Sequence, residues 1–94
     1  MSYKRVTILT GAPVTDEIIG ILETKYMPAV RAMGAIDCEI LQTGPDSTLL
    51  IATYADKAAA DAAAEKAAAL RAESQEEFKG NAPKTLEGEV IVTM

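Results

Sequence analysis

The chain has 94 residues, with nine lysines and arginines against fourteen aspartates and glutamates, so its formal net charge is −5. A chain of this length builds one small hydrophobic core, and we expect residues 1–94 to form a single domain. A negative field repels phosphate backbones and anionic lipids, which argues against nucleic acid and membrane surfaces as partners.

The single cysteine, Cys38, excludes an intramolecular disulfide. No apolar run is long enough to span a bilayer, and the N-terminus lacks the apolar stretch of a signal peptide, so we expect a cytoplasmic protein. Because the chain contains no histidine and its carboxylates are scattered, we expect neither a metal site nor a cofactor.

The first third of the chain predicts a strand followed by a helix. Tyr3 to Thr10 is rich in β-branched residues and ends at Gly11-Ala12-Pro13, a turn sequence. Thr15 or Asp16 can cap the helix. Its apolar residues recur at helical spacing: Ile18, Leu22, Tyr26, Val30 and Met33.

Proline interrupts the pattern of this first helix. Pro28 cannot donate a hydrogen bond to the carbonyl of Thr24, and we therefore predict a bend near Tyr26 and Met27 rather than an end. Gly34 is expected to close the helix.

Two further strands and a second helix follow. Ile36 to Gln42 and Thr48 to Tyr54 predict a hairpin, since the residues between them are turn formers. Asp56 can cap an alanine-rich helix from about Lys57 to Phe78. Its predicted buried stripe is Ala59, Ala63, Ala67, Leu70 and Phe78. Thr85 to Thr93 predicts the last strand.

This βαββαβ order predicts an α+β, ferredoxin-like fold, in which an antiparallel sheet of order 4-1-3-2 carries both helices on one face. Val6 and Ile8 indicate an apolar side of the first strand, and we expect Arg5 on the opposite, helix-free face. The third strand is apolar on both sides. Something must therefore cover the helix-free face, and a second copy of the chain is the predicted partner.

The pattern resembles a known superfamily. The segments Tyr26 to Ala35 and Leu49 to Ala59 look like those of the dimeric α/β-barrel superfamily, in its antibiotic-biosynthesis-monooxygenase-like (ABM-like) branch. The resemblance covers essentially the whole chain. It implies a homodimer whose two sheets form a barrel, with any pocket inside the barrel or between sheet and helices.

The resemblance also indicates which activities of the superfamily are excluded for this chain. Haem-degrading members of the superfamily are expected to use a histidine ligand and a tryptophan, and this chain has neither residue. Members with a His-Asp pair are excluded for the same reason. No catalytic residue is predicted.

Three residues are candidates for ligand binding, and each has a structural alternative. Tyr54 either orients a ligand through its hydroxyl or plugs the end of the sheet. Tyr26 either reaches a pocket beside the Pro28 bend or belongs to the core. Arg5 either binds an anion or forms an ion pair with Glu87 or Glu89, which the strand order places beside it.

Two functions of different class remain. The first is a non-catalytic dimeric module, a small-molecule binder or accessory protein, which the shortage of acid-base residues favours. The alternative is a cofactor-independent monooxygenase-like enzyme acting on a small hydrophobic or aromatic substrate.

Overall fold

The computed structural model describes all 94 residues and contains one four-stranded antiparallel sheet. Its strands are β1 (Tyr3–Thr10), β2 (Asp37–Gly44), β3 (Ser47–Tyr54) and β4 (Lys84–Glu89). They lie in the order β2-β3-β1-β4, which is the predicted 4-1-3-2 order counted from the other edge. The ferredoxin-like α+β prediction is confirmed. None of the helices has both the length and the apolar character needed to cross a membrane.

The first helical segment consists of α1 (Asp16–Ile21), a π-helical turn (Leu22–Tyr26) and α2 (Met27–Ala32). Thr15 is the N-cap, and its hydroxyl accepts a hydrogen bond from the amide of Ile18. At the π-helical turn the amide of Met27 donates to the carbonyl of Leu22, just before Pro28. One wide turn therefore accommodates the proline, and the helix continues as predicted.

The predicted continuous second helix is wrong at one residue. Its two parts are α3 (Lys57–Ala62) and α4 (Ala64–Phe78), separated by a tight turn at Ala63. The amide of Ala63 donates to the carbonyls of Ala59 and Ala60. This turn changes which residues face the sheet: Ala60, Ala63, Ala67 and Ser74 are buried, whereas Ala59, Leu70 and Phe78 are only half-buried.

The predicted face of Arg5 is also wrong. The Arg5 side chain reaches the carbonyl of Ala60 in α3, so Arg5 lies on the helix-bearing side of the sheet. Because side chains alternate along a strand, Val6 and Ile8 point away from the helices. The apolar alternation identified the residues that share a side, but it could not identify the side that the helices cover.

The helix-free side, called the open face below, carries a continuous group of apolar residues. Register places Val6 beside both Ile51 and Leu86, and Leu49 beside both Ile8 and Leu41. The side chain of Leu86 is 67% exposed. The prediction that β3 is apolar on both sides is confirmed, since Leu50 and Ala52 face the helices.

The last strand is shorter than the predicted Thr85 to Thr93. It ends at Glu89, which pairs with Tyr3, and the amide of Val90 donates to the carbonyl of Ser2. Beyond that bond β1 offers no further backbone partner. Ile91 and Val92 are therefore exposed.

Candidate functional site

A cavity of about 50 Å³ lies between the helix-bearing side of the sheet and the helices. Strands β1 and β3 form its floor, while the π-helical turn, α2 and α4 form its walls. Ten of its fourteen lining residues are hydrophobic, and the other four are Arg5, Thr7, Arg71 and Ser74. A mainly apolar wall with a few polar groups is typical of a small-molecule site.

Small side chains leave this space open. Ala52 on β3 and Ala67 and Ser74 on α4 line the cavity, and none of them is large enough to fill it. The hydroxyl of Ser74 donates to the carbonyl of Arg71 within its own helix. The alanine-rich face of α4 therefore brings the helix near the sheet without closing the gap.

Arg5 lies in the cavity wall and is only 5% exposed. Its Nε donates to Glu87 Oε2 at 3.0 Å, and its Nη2 donates to the carbonyl of Ala60 at 3.0 Å. Its Nη1 is buried and has no hydrogen-bond partner. The predicted ion pair with Glu87 is confirmed. One nitrogen of the guanidinium nevertheless remains without a hydrogen-bond partner, which is rare for a buried polar group.

Glu87 is the counter-ion of Arg5 and is less buried than Arg5. Its side chain is 39% exposed, and it also accepts a hydrogen bond from the hydroxyl of Tyr3 at 3.0 Å. The hydrogen bond from Arg5 lowers the pKa of the Glu87 carboxyl below its ordinary value. The carboxylate is therefore ionised at neutral pH.

Arg71, on α4, is a second cation in the cavity wall and forms no salt bridge. Burial is the main cause that lowers the pKa of Arg71, and the nearby charge of Arg5 lowers it further. An arginine in a protein remains charged at neutral pH. Two guanidinium groups thus line the cavity, and the carboxylate of Glu87 pairs with one of them, that of Arg5.

Both candidate tyrosines line the cavity and are nearly inaccessible, Tyr54 being 1% and Tyr26 2% exposed. The guanidinium carbon of Arg5 lies 5.5 Å from the centre of the Tyr54 ring, which is within cation–π range. The hydroxyl of Tyr26 donates to Glu77 on α4, and its ring contacts Phe78. Tyr26 thereby joins the first helix to the second.

Neither phenol is a general base at neutral pH. Burial raises the pKa of Tyr54, and burial together with the hydrogen bond to Glu77 raises the pKa of Tyr26. Cys38 lies outside the cavity and is half-buried, and desolvation raises the pKa of its thiol to about 11. All three groups stay protonated, so the site is better suited to binding and orienting a molecule than to abstracting a proton.

The structure brings the three predicted ligand-binding residues, Arg5, Tyr26 and Tyr54, into one cavity. Sequence analysis missed Arg71. Ala67, Arg71 and Ser74 recur at helical spacing. The pattern would therefore have placed Arg71 on the buried stripe if Arg71 had been chosen in place of Leu70. No group of three histidine, cysteine or acidic side chains is arranged to hold a metal ion.

A wider depression of about 340 Å³ lies on the outside, between α2 and α4. It is open to solvent, and three of its seven lining residues are alanines, while Lys66 and Glu73 are the charged ones. It contains no unsatisfied polar group. The smaller cavity is therefore the better candidate site.

Comparison with known proteins identifies the fold. No family model matches the chain, and no curated protein matches its sequence. Among solved structures, it is similar to NE2512, a protein of unknown function from Nitrosomonas europaea, with a TM-score of 0.69 and 19% identity over 100% of this chain and 94% of the other.

Two oxygenases have the same degree of structural similarity. SnoaB from Streptomyces nogalater, a cofactor-independent oxygenase, gives a TM-score of 0.69 with 14% identity over 99% of this chain and 96% of that one. The monooxygenase ActVA-Orf6 of Streptomyces coelicolor, solved with nanaomycin D, gives 0.69 with 17% identity over 99% and 89%.

The chain has the ABM-like fold. At these identities the similarity concerns the backbone arrangement alone, and the chemistry must be argued from the cavity.

Proposed function

We propose that this ABM-like domain binds a small, largely apolar molecule in the cavity between sheet and helices. The observation that carries the proposal is the buried, unpartnered Nη1 of Arg5 in a cavity wall that is otherwise mainly apolar. A wall of this composition supplies binding energy through apolar contact, and the few polar groups fix orientation.

The size of the cavity limits what enters it. About 50 Å³ holds a few water molecules or the head of a small ligand, so a larger molecule would extend out of the mouth of the cavity into solvent. In the absence of a ligand, water is the natural partner of Arg5 Nη1. A ligand that binds here replaces that water and must offer an acceptor in its place.

Filling the cavity tests the proposal. Ala67→Met places a larger side chain in the cavity, whereas Ala68→Met adds the same side chain at an exposed position on the same helix. The binding assay is an NMR titration with small aromatic compounds. We expect Ala67→Met to abolish the chemical-shift changes of cavity residues and Ala68→Met to retain them. Equal binding by both variants would contradict the proposal.

We further propose that two copies associate through their open faces. Apolar residues on that face belong to all four strands, and they include the exposed Leu86 on the edge strand β4. A sheet that is apolar on both sides usually packs on both sides. The mass of the protein at micromolar concentration tests this: a monomer would rule out a barrel made of two sheets.

A monooxygenase-like reaction is the second candidate. Its support is the shared fold with SnoaB and ActVA-Orf6, together with Tyr54 and Arg5 in one cavity. Oxygen uptake with a naphthalenediol, measured against spontaneous oxidation without protein, separates the two functions. A binding module gives no protein-dependent uptake. Uptake that requires the protein and falls in Tyr54→Phe would favour the enzyme.

A further inference from the structure

We infer that the ligand of this cavity carries one anionic oxygen group, such as a carboxylate, which Arg5 Nη1 and Arg71 bind together. This inference deepens the proposed binding function and rests on it. It concerns the charge of the ligand, which an apolar cavity alone does not determine.

The guanidinium of Arg5 lacks one hydrogen-bond partner. Two of its three guanidinium nitrogens bind within the chain, to Glu87 and to the carbonyl of Ala60. The third, Nη1, is buried without a partner, although every guanidinium nitrogen is a donor. An oxygen acceptor on the ligand completes the set. The bond is stronger if that oxygen is charged.

The cavity wall also has more positive than negative charge. Glu87 can neutralise only one of the two guanidinium groups, and Arg71 has no carboxylate partner. Glu77 does not line the cavity; it accepts hydrogen bonds from Tyr26 and from Lys25, and Lys25 also pairs with Glu73. The charged residues that line the cavity are Arg5 and Arg71, and with Glu87 beside Arg5 the wall carries about one positive charge in a chain whose net charge is −5.

The two arginines exclude a cationic or strongly donating group on the ligand. Such a group would face Arg5 and Arg71 in a mainly apolar wall, where charge repulsion is poorly screened. The hydroxyl of Ser74 already donates to the carbonyl of Arg71, so it supplies no donor to the ligand, and an oxygen of the ligand depends on the two arginines. A single anionic oxygen group matches both cations.

Benzoate and benzamide test the inference, because they share shape and aromatic ring and differ in charge. The protein is titrated with each compound, and the amide signals of Thr7, Ala52 and Ser74 are followed by NMR. We expect benzoate to bind about tenfold more tightly than benzamide, as one charge-assisted bond predicts. Arg71→Gln should remove most of that preference. The exposed Arg31→Gln removes the same charge elsewhere and should retain it.

The outcomes separate the two proposals. If both compounds bind with equal affinity, the inference about charge is wrong and the binding function stands. If neither compound shifts the cavity signals, the binding function fails and the inference fails with it. A benzoate preference that Arg71→Gln leaves unchanged would overturn the role of the second arginine. The comparison of the two compounds on the unmodified protein holds even if Arg71→Gln does not fold.

Discussion

Arg5 is held by three different groups, and each limits how the residue can be replaced. Glu87 supplies charge, the carbonyl of Ala60 supplies a neutral acceptor, and the Tyr54 ring supplies a cation–π contact. Burying a charge is costly unless such partners are present. Removing the side chain and removing only its charge should therefore have different effects.

Arg5→Ala is expected to lower the free energy of unfolding by about 3 kcal/mol, since it removes a buried side chain, breaks its ion pair with the partly exposed Glu87 and enlarges the cavity. Arg5→Met fills the same volume without burying a charge and should cost about 1 kcal/mol, because Glu87 keeps partial access to water. Urea unfolding measures both. Equal losses for Ala and Met would show that the volume of Arg5 is unimportant.

Acid should weaken this pair. The folded-state pKa of Glu87 is lowered below its ordinary value of 4.5, so the pair stabilises the fold fully above about pH 4.5. Its contribution is lost as the pH falls from there through the lowered folded-state pKa. The loss of stability between about pH 6 and about pH 3 should be smaller in Arg5→Met than in the unmodified chain. An identical loss in both would show that the pair does not sense pH in this range.

The pairing of Arg5 with Glu87 could be predicted from the sequence, because strand order brings β4 against β1 and places the two residues side by side. The side of the sheet on which these two residues lie could not be predicted from the sequence. Alternation suggests that Val6 and Ile8 face the core, yet buried Arg5 and Thr7 face the helices instead. The arginine tolerates that position because Ala60 of α3, more than fifty residues away in sequence, accepts its hydrogen bond.

Among the elements, the turn at Ala63 has the largest effect on the site. It follows Ala60, whose carbonyl accepts from both Ala63 and Arg5. Nine alanines between positions 58 and 69 give the sequence pattern a strong helix propensity but no marker for an interruption, since alanine carries no side chain that signals a turn. The π-helical turn, in contrast, lies where the sequence predicts a bend, because Pro28 marks that position.

Ala60→Leu tests the close approach of α3 to the sheet. Ala60 is 0% exposed, and a larger side chain there must push α3 away from Arg5. We expect a loss of about 1 to 3 kcal/mol in the free energy of unfolding. Ala62→Leu, at an exposed position of the same helix, should change it by less than about 0.5 kcal/mol. Similar losses in both variants would contradict tight packing at Ala60.

At the scale of the whole molecule, the open face is the main feature that one copy of the chain does not explain. If two copies meet there, Leu86→Glu places a charge in the interface, and we expect sedimentation to show a monomer. Ile19→Glu removes an apolar side chain of α1 that is also exposed, and it should leave the mass unchanged. A dimer that survives Leu86→Glu would place the contact elsewhere.

The positions of the three tyrosines make the intrinsic ultraviolet absorbance and fluorescence of the chain a probe of one layer of the fold. All three tyrosines are buried between sheet and helices, and the chain has no tryptophan to mask their emission. Two of them, Tyr26 and Tyr54, line the cavity. Ultraviolet absorbance and intrinsic fluorescence therefore report almost exclusively on this one layer, so unfolding and occupancy of the cavity can both be followed without a label.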